Sequence, residues 1–147
     1  VTRSEIVALA RSWIGTPFLH QANVKGVGCD CAGLLRGVVI EAGVLPANLS
    51  KWPGAARFLG YARQPDGHSF IEGCRTYMTE IDPQDAIEGD AVAMKFRRDP
   101  QHIGILVPYA HGGLAIVHAL SMGVVEHRLD GRWRDRITHA YALPGVA

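Results

Sequence analysis

The stretch Gly28-Cys29-Asp30-Cys31-Ala32-Gly33-Leu34-Leu35 sets a thiol at the start of an apolar helical run. Asp30 is a good N-cap, which places Cys31 at the first helical position. A thiol there faces the positive end of the helix dipole and unpaired backbone N–H groups. Both favour thiolate over thiol, lowering a cysteine from its free value of about 8.5. The same N–H groups can stabilise a developing oxyanion. Asp30 opposes the effect unless capping occupies its carboxylate, and small Ala32 and Gly33 leave room for a substrate backbone. The chemistry this suits is nucleophilic attack. The plain alternative is a buried helix cysteine, and a basic partner must decide between them.

Seven histidines are available: His20, His68, His102, His111, His118, His127 and His139. The partner has to reach the thiol and be oriented by a third group. His102 opens the apolar run His102-Ile103-Gly104-Ile105-Leu106-Val107. His118 lies inside Ile116-Val117-His118-Ala119-Leu120, where a buried imidazole needs a hydrogen-bond partner. A hairpin centred near Ala110 sets His102 opposite or diagonal to His118 on one face. One imidazole then takes the thiol proton while the second fixes its tautomer. His111, in a glycine turn, reads as solvated. His127 and His139 read as structural on late strands, and His68 falls in an irregular stretch. None of these four shows a partner in the sequence.

Thr2-Arg3-Ser4-Glu5 reads as a capping box, followed by Ile6, Leu9, Ala10 and Trp13 on one helical face. Residues 15–28 form a glycine-punctuated loop, and a second helix over 31–42 points Leu34, Leu35, Val38 and Val39 inward. Residues 46–67 are irregular, and Phe70, Ile71, Cys74, Tyr77 and Met78 fit a third helix. Strands are expected at 91–96, 103–107, 115–120, 123–129 and 138–143. Helices followed by strands argue an α+β fold, with an antiparallel sheet of about five strands covered by the N-terminal helices.

The length, 147 residues, fits a single domain over 1–147, without repeats or linkers. Fifteen basic and fourteen acidic side chains give a net charge of +1. That balance argues against a nucleic-acid binder. No apolar run approaches the ~20 residues of a membrane span, and no secretory leader is visible at the start. Three cysteines, an odd number, do not suggest a disulfide framework.

In order, Gly15-Thr16-Pro17-Phe18, Asp30-Cys31-Ala32-Gly33-Leu34, Gly89-Asp90, His102-Ile103-Gly104-Ile105 and Ile116-Val117-His118-Ala119 resemble the NlpC-type cell-wall peptidases. These are papain-like cysteine hydrolases of peptidoglycan stem peptides. The resemblance carries the nucleophile onto Cys31, the base onto His102 and the orienting group onto His118. It implies attack on an amide, commonly γ-D-glutamyl–diaminopimelate, through an acyl-enzyme, and it calls for no cofactor or metal.

Pro17-Phe18, His20-Gln21, Gly28-Cys29-Asp30-Cys31 and Pro65-Asp66-Gly67 look closer to a subgroup carried by phage tails and gene transfer agents. That subgroup implies tail hub or baseplate partners, manufacture in the cytoplasm without a leader, and action in the target cell's periplasm or wall. Three positions depart from the family pattern. Ala32 stands where serine is usual, and Phe18 stands where the family has an active-site tyrosine. His20, with Asp30, is then the candidate auxiliary polar group. The third departure is Cys29, either structural or able to form a reversible disulfide with Cys31 or Cys74.

Other readings use the same residues. Cys29, Cys31, His102 and His118 carry metal-binding atoms, although a Cys-x-Cys across a helix start fits zinc poorly. A non-catalytic tail plug or wall-binding component could keep the fold, and amidase or acyl-transfer chemistry could use the same nucleophile. Trp52, Arg57, Tyr61 and Arg63 in the irregular stretch are candidates for substrate or tail contacts, or are simply solvated. Arg128, Arg132, Arg134 and Arg136, against Asp130 and Asp135, read as an ordinary charged surface with a basic bias.

Overall fold

A computed structural model of the chain describes residues 1–44 and 67–147. Helix α1 (Arg3–Ser12) starts at the expected capping box: Glu5 N–H donates to Thr2 Oγ1 at 3.2 Å and Thr2 N–H to Glu5 Oε2 at 2.7 Å. Its Ile6, Val7 and Ala10 are buried, with Trp13 just beyond. The loop that follows contains a small antiparallel hairpin, β1 (Asn23–Val24) with β2 (Gly28–Cys29). Helix α2 (Cys31–Glu41) comes next, capped by Asp30, and α3 (Gly67–Tyr77) matches the expected third helix. Among the described residues no helix is long and apolar enough to cross a membrane. The stretch with Trp52, Arg57, Tyr61 and Arg63 lies outside the described residues.

The main sheet has six strands: β3 (Thr79–Ile81), β4 (Ala91–Lys95), β5 (Pro100–Pro108), β6 (Leu114–Leu120), β7 (Gly123–Arg128) and β8 (Ile137–Ala142). Their order is β3-β8-β4-β5-β6-β7, and every pairing is antiparallel. The α+β expectation holds, with one strand more than expected. The addition is β3, only three residues long and mostly exposed, so it shows no useful alternation. It joins the sheet by pairing with β8 at the edge, with Arg75 of α3 3.1 Å from its Glu80 and Ile81 against the core. A one-turn helix, α4 (Gly131–Arg134), was likewise too short to register as a period.

Both faces of the central strands are covered, which explains their nearly continuous apolar sequence. On one face Ala93, Ile103, Ile105 and Val117 pack with Ile6, Leu34, Val38 and Cys74 from the helices. On the other, Val92, Met94, Leu106, Ile116 and Ala140 pack with Leu129 and Trp133. The Gly89-Asp90 pair is structural. Asp90, buried at the entry to β4, accepts from Arg3 Nη1 at 2.7 Å and from the Ile87 N–H at 2.9 Å.

Gly33 has a different role from the one its size suggested. A Cβ there would lie 1.8 Å from the Ala22 carbonyl oxygen. The protein's own loop therefore fills the space that had been assigned to a substrate backbone. Since the obstacle is backbone, it cannot rotate away. Gly33→Ala is expected to cost roughly 2–3 kcal/mol, as overpacking does where nothing can yield. Urea unfolding would check this; an unchanged midpoint would mean that the loop simply moves.

Candidate active site

Asp30 organises the start of α2 with both carboxylate oxygens. Oδ1 accepts the Gly33 N–H at 2.8 Å, the capping bond, and Oδ2 accepts the Gln21 N–H at 2.7 Å. His20 Nδ1 lies 3.7 Å from the same Oδ2. Thus His20 lies beside Asp30 at the N-terminal end of the helix that begins with Cys31. The cap also ties the loop before β1 to the nucleophile candidate, which makes Asp30 a positioning residue.

Cys31 is half-buried at the first position of α2. Its thiol lies against the backbone on either side of His102. Sγ is 4.0 Å from the Gln101 carbonyl oxygen, and the Ile103 N–H is directed towards it. Helix α2 therefore delivers the sulfur to the stretch of β5 that carries His102. The sequence-based expectation of a lowered thiol value is not met. Burial pushes Cys31 up to about 12, with Asp30 adding to the rise. The N–H groups of Ile103, Ala32 and Cys31 itself pull the other way and do not prevail. Such a sulfur is stored as thiol and must lose its proton during attack.

The histidines come together more extensively than the sequence implied. His102 Nε2 and His118 Nδ1 are 2.8 Å apart. In the β5–β6 register Leu106 pairs with Ile116, so continued pairing sets His118 against Gly104 and diagonal to His102. Gly104 permits this approach: a Cβ there would lie 2.6 Å from Ile116 Cδ1 and 3.1 Å from His118 Cβ. Opposite His102 the β4–β5 register shifts between Met94 and Lys95, an irregularity of the kind that re-aims side chains. The row then continues, because His118 Nε2 is 2.8 Å from His127 Nε2, and His127 Nδ1 is 2.9 Å from the Arg128 carbonyl oxygen.

Contrary to the sequence-based expectation, His127 has partners on both ring nitrogens. Its signal was available in the turn. Leu120 pairs with Gly123 across two residues, so His118 meets Val125 and His127 falls on the next diagonal. His139 also has partners, Thr138 Oγ1 at 2.8 Å and Glu80 at 3.8 Å, but lies apart from the row. His111 is exposed as expected, and the side chain of His68 lies outside the described residues.

Aromatic rings enclose the row. Phe96 packs 5.0 Å from His102, and Trp133 lies 5.0 Å from His118 and 4.8 Å from His127. Arg136 sits over both Phe96 and Trp133, which gives one arginine of the C-terminal cluster a structural place. Cys29 and Cys74 are buried in the core, and all three cysteines are free thiols. The histidine nitrogens face one another, and among the described residues no three ligand-type side chains converge on a metal-sized point.

Burial holds His102 down to about 3. Burial, then the neighbouring His102 and His127, hold His118 down to about 2. Unfolded imidazoles protonate near 6.5. Below that value the unfolded chain binds more protons, so stability is complete above about 6.5 and falls with acidification. Between pH 6.5 and 5 the expected loss is on the order of 2 kcal/mol for each of the two imidazoles. Denaturant unfolding at pH 7, 6 and 5 measures it; equal stabilities would contradict the buried neutral pair.

Comparison with known proteins bears on the family and the fold. The family model described as NlpC/P60 family matches residues 15–142. Among solved structures, the NlpC/p60 domain of the peptidoglycan hydrolase SagA superposes with a TM-score of 0.64 at 21% identity, covering 97% of this chain and 100% of that one. A protein similar to a lipoprotein of the NLP/P60 family, from Staphylococcus aureus subsp. aureus Mu50, gives 0.63 at 17% identity, covering 97% of this chain and 41% of that one. No curated protein sequence matches the chain. At these identities the solved structures establish the fold, which is the papain-like NlpC/P60 architecture.

Proposed function

The chain belongs to the NlpC/P60 family, and from that premise we propose that it is a cysteine endopeptidase of peptidoglycan stem peptides. The observation that carries this reading is the delivery of Cys31 to β5 beside His102, with His102 bonded to His118 at 2.8 Å. His102 Nδ1 takes the proton from Cys31 Sγ as the sulfur attacks the amide carbonyl carbon. The N–H groups of the first turn of α2 face the resulting oxyanion. The C–N bond breaks as His102 returns the proton to the leaving amine, giving a thioester. Water, deprotonated by His102, then attacks the thioester and releases the acid and the free thiol. His118 holds the His102 ring, and His20 supplies the polar group that Phe18 lacks. Because catalytic hydrogen bonds often tighten only with substrate bound, the thiol–imidazole contact forms in the complex.

The bond proposed is γ-D-glutamyl–diaminopimelate. Digestion of a synthetic stem tetrapeptide containing that amide, followed by mass spectrometry, should yield the two dipeptides. Intact substrate, or cleavage at another amide, would refute this bond. Carriage on a phage-like tail, with a hub or baseplate protein as partner and the target periplasm or wall as site of action, is part of the same proposal. It is supported by Pro17-Phe18, His20-Gln21, Gly28-Cys29-Asp30-Cys31 and Pro65-Asp66-Gly67. Proteomics of purified particles should find the protein; its absence from them would remove this element.

A further inference from the structure

We propose that His127 is a positioning residue that sets the proton of His102 on the nitrogen facing His118 and so leaves the lone pair on the other nitrogen. The inference rests on the reading of His102 as the base. Its foundation is the carbonyl oxygen of Arg128, 2.9 Å from His127 Nδ1. A carbonyl oxygen can only accept, so Nδ1 of His127 carries a proton. In the neutral ring Nε2 is then the acceptor. The bond between His118 Nε2 and His127 Nε2, at 2.8 Å, must therefore be donated by His118. That leaves His118 Nδ1 as an acceptor, and the 2.8 Å bond to His102 must be donated by His102 Nε2. The lone pair of His102 is thereby confined to Nδ1, the atom that receives the thiol proton.

One backbone oxygen at the sheet edge thus fixes the tautomers of three imidazoles on three adjacent strands. His118 alone cannot do this, because its two neutral tautomers are both compatible with bonding to His102. If His118 carried its proton on Nδ1, it would donate to His102 Nε2. The proton of His102 would then sit on Nδ1, and the base would be blocked. Packing favours the arrangement as well: Trp133 lies across both His118 and His127, so neither ring can turn freely.

The test uses His127→Gln and His127→Phe in the full chain at pH 8. Glutamine has a carbonyl oxygen to accept from His118 and an amide N–H to donate to Arg128 O; phenylalanine has neither. Nitrogen-15 NMR of labelled histidines reads the tautomers directly. Wild type and His127→Gln should hold the His102 proton on Nε2, and His127→Phe should shift it towards Nδ1. On stem peptide, kcat of His127→Phe should fall about ten- to a hundredfold with KM little changed, while His127→Gln stays within about threefold. A wild-type His102 protonated on Nδ1 would overturn the proposal. So would a His127→Phe protein with wild-type tautomers, whatever its activity. If the tautomers behave as stated while kcat does not follow them, it is the assignment of His102 as base that fails.

Discussion

Cys31→Ala should lose at least about a thousandfold in stem-peptide cleavage, because removal of a covalent nucleophile eliminates the route itself. Its fold should be little affected. Cys31 sits at the first helical position, where alanine is well tolerated, and its sulfur makes only weak polar contacts, 4.0 Å from the Gln101 carbonyl oxygen and against the Ile103 N–H. The expected stability change is therefore below about 1 kcal/mol. Cys29→Ser is the instructive contrast. Cys29 is fully buried, and a serine hydroxyl there should cost roughly 1–3 kcal/mol. Yet its strand bonds are made by backbone: its N–H to Pro17 O and its carbonyl to the Leu19 N–H. The folded fraction should therefore cleave normally. Circular dichroism, urea unfolding and turnover per folded molecule separate the two effects. A dead Cys29→Ser alongside an active Cys31→Ala would mean that the wrong thiol had been chosen.

His102→Ala should be the more damaging of the two histidine truncations. It removes the only proposed carrier of the thiol proton, worth about a hundred- to ten-thousandfold in rate. A thiol held up to about 12 offers little spontaneous thiolate near neutrality, so the loss is not offset by a stored ion pair. His118→Ala leaves the base in place but removes the acceptor of its Nε2–H inside a buried pocket. That should cost about ten- to a hundredfold in kcat, together with roughly 1–3 kcal/mol of stability for the unpaired donor. Steady-state kinetics alongside unfolding curves give both quantities. A larger kinetic loss for His118→Ala would exchange the two roles.

Local signals in the sequence were strong enough to place much of this site. Thr2 and Glu5 define α1, and Asp30 defines the start of α2, because a cap is a bond between near neighbours. The short connection between β5 and β6 constrains register, so the diagonal of His102 and His118 was foreseeable. The same rule applied to the Ser121-Met122 turn reaches His127, whose partner lies across the sheet and not within its own strand. Other features depend on the assembled molecule. The thiol's raised value comes from burial by segments far away in sequence, which outweighs the helix-start effect visible locally. Gly33 looked like space for a substrate, but the Ala22 carbonyl, eleven residues earlier, occupies it. Strand β3 is three residues of Thr-Glu-Ile that join the sheet by pairing with β8, and no pattern that short could announce it.

The most direct measurement is side-by-side digestion of purified peptidoglycan by the wild-type protein and Cys31→Ala, with the muropeptides resolved by mass spectrometry. Wild type should release stem fragments cut at a single amide, and Cys31→Ala should leave the muropeptide profile of the untreated wall. Identical fragments from both proteins, or none from a correctly folded wild type, would contradict the assignment of Cys31 as the nucleophile of a peptidoglycan hydrolase.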